Sequence, residues 1–389
     1  MSGRPPVLSW AFCCALCALL TVAAPLRLPA QLIVRYPDST RSPAPDTPAL
    51  ADRWKGAVEE AKKRGFSKGY WIGYSIQRLM PENSFIGAFY SDTRRNKPSL
   101  SELLSGREQV EVFPERTSGN FTVTDGVTFV GDTDSRRHKV MKEIGILFHI
   151  SAAGETDQIK VTNLSLHVDL EGDPLIWVGG ADNRESIALL KSRFETTRSS
   201  RVKERAIEAI GLHAPSSDVL SFLRDILTGS EAGKVREEAA FWLGQMDTDE
   251  ALKVLVEAAE TDRSEKVREG AIFGISQMEG DRGVDALIKL VRNNSDKKVR
   301  EKAAFGLGQK ASEKAVATLK DVVFSSDDTD VQKSALFALT QLPDQSGVEY
   351  IIKIAKTHPN PKVRKEAVFW LGQCDDERAI EALIKIVRP

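Results

Sequence analysis

The sequence predicts an α-solenoid of repeated helical hairpins, preceded by a smaller, strand-rich α+β unit. Two observations carry this reading. The segment VREEAAFWLGQ (Val235–Gln245) returns at Val267–Gln277, Val299–Gln309, Val331–Gln341 and Val363–Gln373, with the leading valines 32 residues apart. A fixed period of this length marks one supersecondary unit stacked on copies of itself. A weaker copy, VKERAIEAIGL, begins at Val202, one residue out of step. Ahead of about residue 176 the repeat is absent, and short aromatic and β-branched runs replace it.

The chain opens with a segment that does not read as fold. Arg4 precedes an uncharged stretch of 18 residues, Val7–Ala24, and Leu28-Pro29-Ala30 offers a cleavage site before Gln31. Residues 1–30 are therefore expected to be a secretory signal peptide. The alternative is an uncleaved anchor in the inner membrane, since 18 apolar residues lie at the lower limit for a span. Three of the four cysteines (Cys13, Cys14, Cys17) fall in this segment and leave Cys374 alone in the mature chain, with no internal disulfide. An exported protein without such links relies on its core, which suits a bacterial periplasmic or secreted protein of this size. No membrane span is expected once the signal is removed.

Residues 31–49 are rich in Pro, Ser and Asp and read as a flexible linker. Leu50–Arg64 carries apolar residues at helical spacing. Tyr70–Ile76, Phe85–Tyr90, Gln109–Phe113, Val127–Val130, Ile144–Ile150 and Ile159–Leu170 read as strands. Residues 50–175 thus form an α+β domain of unknown type, and 176–389 the solenoid, a half-repeat plus about six repeats. The half-repeat is inferred because Trp177–Ile187 aligns without gaps on Trp242–Leu252. That makes Ile187–Phe194 a second helix and lets the N-terminal domain cap this end of the stack.

Within a repeat, with the valine as position 0, positions 0, 4, 7 and 8 form one stripe about 100° wide on a helical wheel. In the third strong copy these are Val299, Ala303, Gly306 and Leu307. Ser264, Asp296, Asp328 and Asn360 stand three residues ahead of their valines, where N-caps are expected. Gly244 and Gly308 are expected to end their helices. The second helix has its own stripe, such as Leu252, Leu255, Val256 and Ala259. A hairpin with one apolar side is stable only against its neighbours.

The spacing and the V-R-x-x-A-x-x-x-L-G core resemble HEAT repeats, in particular the short HEAT-like repeats named after phycobilisome lyases. The resemblance runs from about Val202 to Pro389. It implies a stack of helical hairpins, and it occurs in lyases, hydroxylases and scaffolds alike. Deoxyhypusine hydroxylase, of this repeat class, binds two irons through His-Glu dipeptides. Here His138, His149, His167, His213 and His358 are followed by Lys139, Ile150, Val168, Ala214 and Pro359, so that activity is not carried over.

Other catalytic signatures fail. Gly274-Ile275-Ser276-Gln277 is followed by Met278 and does not complete a nucleophile elbow. Gly229–Lys234 is one residue short of a phosphate-binding loop, and Val235 stands where Ser or Thr is required. Asp247-Thr248-Asp249 and Asp132-Thr133-Asp134 start like calcium loops without the later ligands. His149 and His167 lack a third ligand, and Cys374 sits in a hydrophobic column with Met246, Met278 and Leu342. No enzyme activity, cofactor or metal is expected. The near-zero net charge of −1, with no basic run, argues against nucleic acid.

The most unusual feature is a phenylalanine at position 6 of five successive repeats: Phe241, Phe273, Phe305, Phe337 and Phe369, with Trp242 and Trp370 beside the outer two. Position 6 lies about 160° from the centre of the core stripe. The rings either stack and cover the joints between repeats or form an exposed protein-binding stripe. Gln245, Gln277, Gln309, Gln341 and Gln373 are expected to bond turn backbones. Arg236, Arg268, Arg300 and Arg364 are expected to form surface ion pairs. The final repeat is as apolar as an internal one, through Ile380, Leu383, Ile384 and Val387, which predicts self-association or a docked partner.

The resulting expectation is a non-enzymatic, exported scaffold or adaptor. It binds another protein of the cell envelope through a curved surface lined by the second helices. The alternative is an enzyme or small-ligand binder whose site lies in the N-terminal domain or in its cleft with the solenoid, lined by Tyr70, Trp71, Tyr74 and Tyr90.

Overall fold

A computed structural model describes residues 33–35, 48–82, 84–87, 99–105, 120–124, 127–131 and 138–388 of the chain. The expected signal peptide, the strand at Gln109–Phe113, Tyr90 and the Asp132-Thr133-Asp134 segment lie outside the described residues.

The N-terminal part is built on a five-stranded mixed sheet. In chain order its strands are β1 (Ile33–Arg35), β2 (Gly69–Pro81), β6 (Lys139–Ser151), β7 (Thr156–Asn163) and β8 (Leu175–Gly180). Their spatial order is β1-β8-β2-β6-β7, parallel across β1–β8–β2 and antiparallel across β2–β6–β7. Three short strands, β3 (Phe85–Gly87), β4 (Asn120–Thr124) and β5 (Val127–Gly131), form a separate antiparallel sheet. Strand β1 falls inside the segment read as a flexible linker. Pro, Ser and Asp dominate that segment's composition, and they mask three residues that add an edge strand.

Alternation along β2 divides the sheet into two faces. Tyr70, Ile72, Tyr74 and Ile76 pack with Ile144, Ile146 and Phe148 of β6 on one face, covered by Leu50, Trp54, Ala57 and Ala61 of helix α1 (Leu50–Lys63). Trp71 faces the other way. It joins Leu147, Leu175, Trp177 and Leu100, which lies on the short helix α2 (Leu100–Ser105). The first of these cores runs without a break into the solenoid as far as Ala379.

Thirteen α-helices follow among the described residues, α3 to α15. Helix α3 (Asn183–Thr196) comes straight after β8. The alignment that placed Ile187–Phe194 on a second helix therefore holds for the helix, but Trp177–Gly180 is a strand rather than the end of a first helix. Six hairpins then stack. Their first helices are α4 (Ser200–Gly211), α6 (Gly233–Met246), α8 (Glu265–Gln277), α10 (Lys297–Lys310), α12 (Thr329–Thr340) and α14 (Pro361–Leu371). Their second helices are α5 (Ser217–Thr228), α7 (Asp249–Thr261), α9 (Gly280–Asn293), α11 (Glu313–Ser325), α13 (Val348–Thr357) and α15 (Glu377–Val387). The core stripe is buried as its period requires, with Val299, Ala303, Gly306 and Leu307 all inside.

Asp296, Asp328 and Asn360 cap their helices by accepting from the backbone N–H two residues on. Ser264 occupies the N-cap without a side-chain bond. The glycines at position 9 do not end their helices. Helix α6 runs on to Met246 and α10 to Lys310, each closed by a residue with left-handed backbone, Asp247 and Ala311. Gly244 instead meets Gly274 of α8, where a Cβ would lie 2.5 Å from the Gly274 carbonyl oxygen. Gly308 meets Ala338 of α12 in the same way, at 2.9 Å.

Helices α6 and α8, and likewise α10 and α12, meet at backbone distance, while adjacent second helices stand further apart. The tighter side of the stack is therefore the first-helix side. Small residues at positions 7 and 9 are the physical reason.

Candidate functional site

The first-helix face carries a groove of about 590 Å³ that crosses α4, α6, α8 and α10. Its floor is aromatic and its walls are charged. Position 6 supplies the floor, because that side of each first helix points away from the core stripe. Phe241 and Phe273 lie parallel with ring centroids 6.2 Å apart, and Phe305 and Phe337 repeat the arrangement at 6.1 Å. Phe273 and Phe305 are each 38% exposed and Phe369 is 54% exposed, while Phe241 and Phe337 are half-buried. The rings pair across repeats, and the row still shows one edge to solvent.

The tryptophans behave differently from each other. Trp242 is buried, packed over Gly211 of α4 so tightly that no Cβ fits there, and it stays out of the exposed row. Trp370 is half-buried between Phe337 (5.0 Å) and Phe369 (5.1 Å) and continues the row towards the last hairpin.

The walls come from positions 2 and 3, one turn before the phenylalanines. Glu237 and Glu238 of α6 and Glu269 of α8 line the groove, with Glu204 and Glu208 of α4 at its N-terminal end. Glu208 is buried, and its Oε2 accepts a hydrogen bond from Arg205 at 2.6 Å. Burial raises its carboxyl above the usual range, against the pull of Arg205. Glu238 accepts from Trp242 Nε1 at 2.8 Å. Burial, reinforced by the charge of Glu208, pushes its carboxyl up to about 7. These acids were not singled out from the sequence. The available signal was Glu208 itself, which stands at position 6 of the weak first copy where the five later copies have phenylalanine.

Other columns are structural. Arg236 is buried against Asp262, and Arg268 donates to the Asp262 carbonyl at 2.8 Å. Arg364 likewise donates to the His358 carbonyl at 2.6 Å. Arg300 pairs with Asp327, while Arg236, Arg268 and Arg364 close the preceding turn. Where the column has Gln332, its amide does the same for the Ser326 carbonyl at 2.8 Å. The outer glutamines are exposed and bond side chains, as in Ser276 Oγ to Gln309 Oε1 at 3.0 Å, not turn backbones. Cys374 is half-buried, and burial raises its thiol, which disfavours the reactive thiolate.

The pocket posited in the N-terminal domain meets a filled core. Tyr70, Trp71 and Tyr74 are buried, Trp71 Nε1 donates to Leu170 O at 3.0 Å, and Tyr74 bonds Ser186 at 2.8 Å. His149 is bonded to Asp157 and Asp173 at 2.6 and 3.0 Å. No group of three His, Cys, Asp or Glu among the described residues is placed to hold a metal ion. No helix among them is long and apolar enough to cross a membrane.

Fold and groove define an α-solenoid of helical hairpins with an aromatic groove on its first-helix face. A family model described as HEAT repeats matches residues 187–276, 284–347 and 319–388, and the chain belongs to that family. Such repeats suggest a protein-interaction scaffold. Comparison with curated proteins finds no significant match. Among solved structures, the chain is similar to the phycocyanin lyase complex of Nostoc, at 20% identity over 40% of this chain and 99% of that one, with a TM-score of 0.31. It is similar to human deoxyhypusine hydroxylase at 16% identity, over 52% and 85% of the two chains, with a TM-score of 0.23. The Escherichia coli protein YibA gives 17% identity over 53% and 82%, with a TM-score of 0.31.

Proposed function

We propose that the protein is a non-enzymatic, exported adaptor that binds another protein of the cell envelope along its first-helix face. The observation that carries this is the aromatic row of paired, part-exposed rings on the floor of a groove about 590 Å³ in volume. Aromatic side chains at the centre of a recess give large contact area at low entropic cost, which is where interface energy concentrates. The closed core around Tyr70, Trp71 and Tyr74 weighs against the rival small-ligand site in that domain.

The test compares what the full chain and a Phe273→Ser/Phe305→Ser chain retain from envelope extracts, with both variants checked for native helicity. A protein held by the native chain and lost by the double variant supports the reading. The same proteins retained by both chains overturn it.

Self-association is a second, independent reading of one surface. Ile380, Ile384 and Val387 of α15 are 53%, 57% and 76% exposed. Light scattering across a concentration series checks it. A rise in mass that Ile384→Lys abolishes is the supporting outcome, and a constant monomer mass sinks it.

A further inference from the structure

We propose that the N-terminal end of the groove receives an arginine or lysine side chain of the partner protein, held by Glu208 and Glu238 beside the Phe241–Phe273 pair. This rests on the reading of the groove as a protein-binding surface and adds the chemistry of the segment bound there.

The argument starts from a break in a column. Every later first helix, α6 to α14, puts phenylalanine at position 6, but α4 puts Glu208 there. The residue is 3% exposed and lines the groove. Its Oε2 is bonded to Arg205, but its Oε1 is buried with no hydrogen-bond partner. A buried carboxylate oxygen without a donor carries a desolvation cost that an incoming N–H group removes. Glu238, on the adjacent helix, takes its bond from a neutral indole, Trp242 Nε1.

The charge balance at depth favours a cation. Arg205, whose side chain is only 13% exposed, is paired with Glu208, and Glu204 and Glu238 line the same end of the groove. Arg201 and Lys234 lie exposed at the rim, where salt screens them. Lys302, at the far end, is paired with Glu269 at 3.0 Å. Burial, reinforced by the charge of Glu208, raises the Glu238 carboxyl to about 7, and a cation seated beside it would favour its ionised form.

An arginine or lysine suits both halves of this end. Its head reaches the carboxylates, and its aliphatic stem lies against the neighbouring rings. The recess is larger than one side chain and runs on to Phe305. Residues flanking the basic one on an extended segment would cover that stretch. A free polyamine would leave it uncovered, which is why a protein segment is the stated occupant.

The probe is a displayed library of random twelve-residue peptides, selected on the full chain at neutral pH and low salt. Enriched peptides are then measured against Glu208→Gln, Glu238→Gln and Phe273→Ser chains of native helicity. The expected result is enrichment of peptides with a basic residue next to an aromatic or aliphatic one. Each glutamate variant should weaken them at least 10-fold, as should norleucine in place of the basic residue. Peptides without a basic residue, or peptides indifferent to both glutamate variants yet dependent on Phe273, overturn the cation site and leave the groove reading standing. No enriched peptide, or none that Phe273→Ser affects, overturns both. Equal displacement by spermidine at its own comparable affinity overturns the protein source.

Discussion

Ser186 Oγ lies 2.8 Å from His213 Nε2 at the seam between the sheet and the solenoid. Tyr74 OH, from β2, meets the same hydroxyl at 2.8 Å, and His213 Nδ1 lies 2.8 Å from the Ala209 carbonyl oxygen. One donor sequence satisfies all of these contacts: Nδ1–H to the carbonyl, Ser O–H to Nε2, Tyr O–H to the serine oxygen. A serine and a histidine at this distance look like nucleophile and base. Both are buried, however, and both are consumed in joining α3, α4 and β2. The network fixes the first hairpin to the N-terminal sheet and so fixes the N-terminal end of the groove.

This network makes the seam sensitive to acid. Burial lowers the His213 imidazole from about 6.5 to about 4, so the native state holds it neutral. Between those values the unfolded chain binds a proton that the folded chain refuses. The stability contributed by the neutral ring is therefore complete above pH 6.5 and is lost as pH falls towards 4, amounting to at most about 3 kcal/mol. Urea midpoints at pH 7.5 and pH 5 should differ more for the native chain than for His213→Gln. Equal differences would show that the ring does not govern the seam.

Glu238 has the opposite sign. Its carboxyl is raised to about 7, so on raising pH the unfolded chain gives up its proton first. Stability tied to this group is present below about pH 4.5 and falls as pH rises to 7, by no more than about 3 kcal/mol. Glu238→Gln should then be more stable than the native chain at pH 8 and indistinguishable from it at pH 4. Thermal unfolding at the two pH values measures this. A variant less stable at pH 8 would mean that Arg205 stabilises the carboxylate more than burial penalises it.

The glycines divide into two kinds. A Cβ on Gly244 would press on the backbone of Gly274, at 2.5 Å from its oxygen, and a packed helix backbone has nowhere to move. A Cβ on Gly270 would meet the flexible Cγ of Glu237 at 2.9 Å, which can turn aside. Gly244→Ala should therefore cost about 1–3 kcal/mol by overpacking. Gly270→Ala should be neutral or stabilising by up to about 1 kcal/mol through helix propensity. Chemical denaturation of both variants provides the check, and the reverse ordering would contradict the backbone contact between α6 and α8.

The repeat was legible in the sequence because every hairpin must show the same stripe to its neighbour, so Val235, Val267 and Val299 recur without drift. The role of Gly244 was not legible. A glycine near the end of a helical pattern is compatible with a cap or with a close approach, and only the neighbour's position separates them. In the N-terminal part, alternation from Tyr70 to Ile76 marked a strand but not its partners, since pairing depends on residues far along the chain such as Ile144 and Ile176. The aromatic row of the candidate site was visible as a column. The half-buried acids beside it were not, because Glu204, Glu237 and Glu269 look like ordinary solvated positions until α4, α6 and α8 are set side by side.

The arginine column gives a contrast within one repeated position. Arg236 is buried with its partner Asp262, their side chains only 5% and 9% exposed. It also donates to the Glu231 carbonyl at 3.2 Å. Arg300 holds the same position one repeat beyond Arg268. Its partner, Asp327, is 3.6 Å away and 85% exposed. Removing Arg236 strands a buried carboxylate and a turn carbonyl, for which a cost of about 3–5 kcal/mol is expected. Removing Arg300 breaks a solvent-facing pair and should cost roughly 1 kcal/mol or less. Arg236→Met and Arg300→Met, both keeping an unbranched stem, should therefore unfold at clearly different denaturant concentrations. Adding Asp262→Asn to the first should recover part of its loss, because the stranded charge goes with it. Absence of that recovery would mean the cost lies in the Glu231 turn and not in the ion pair.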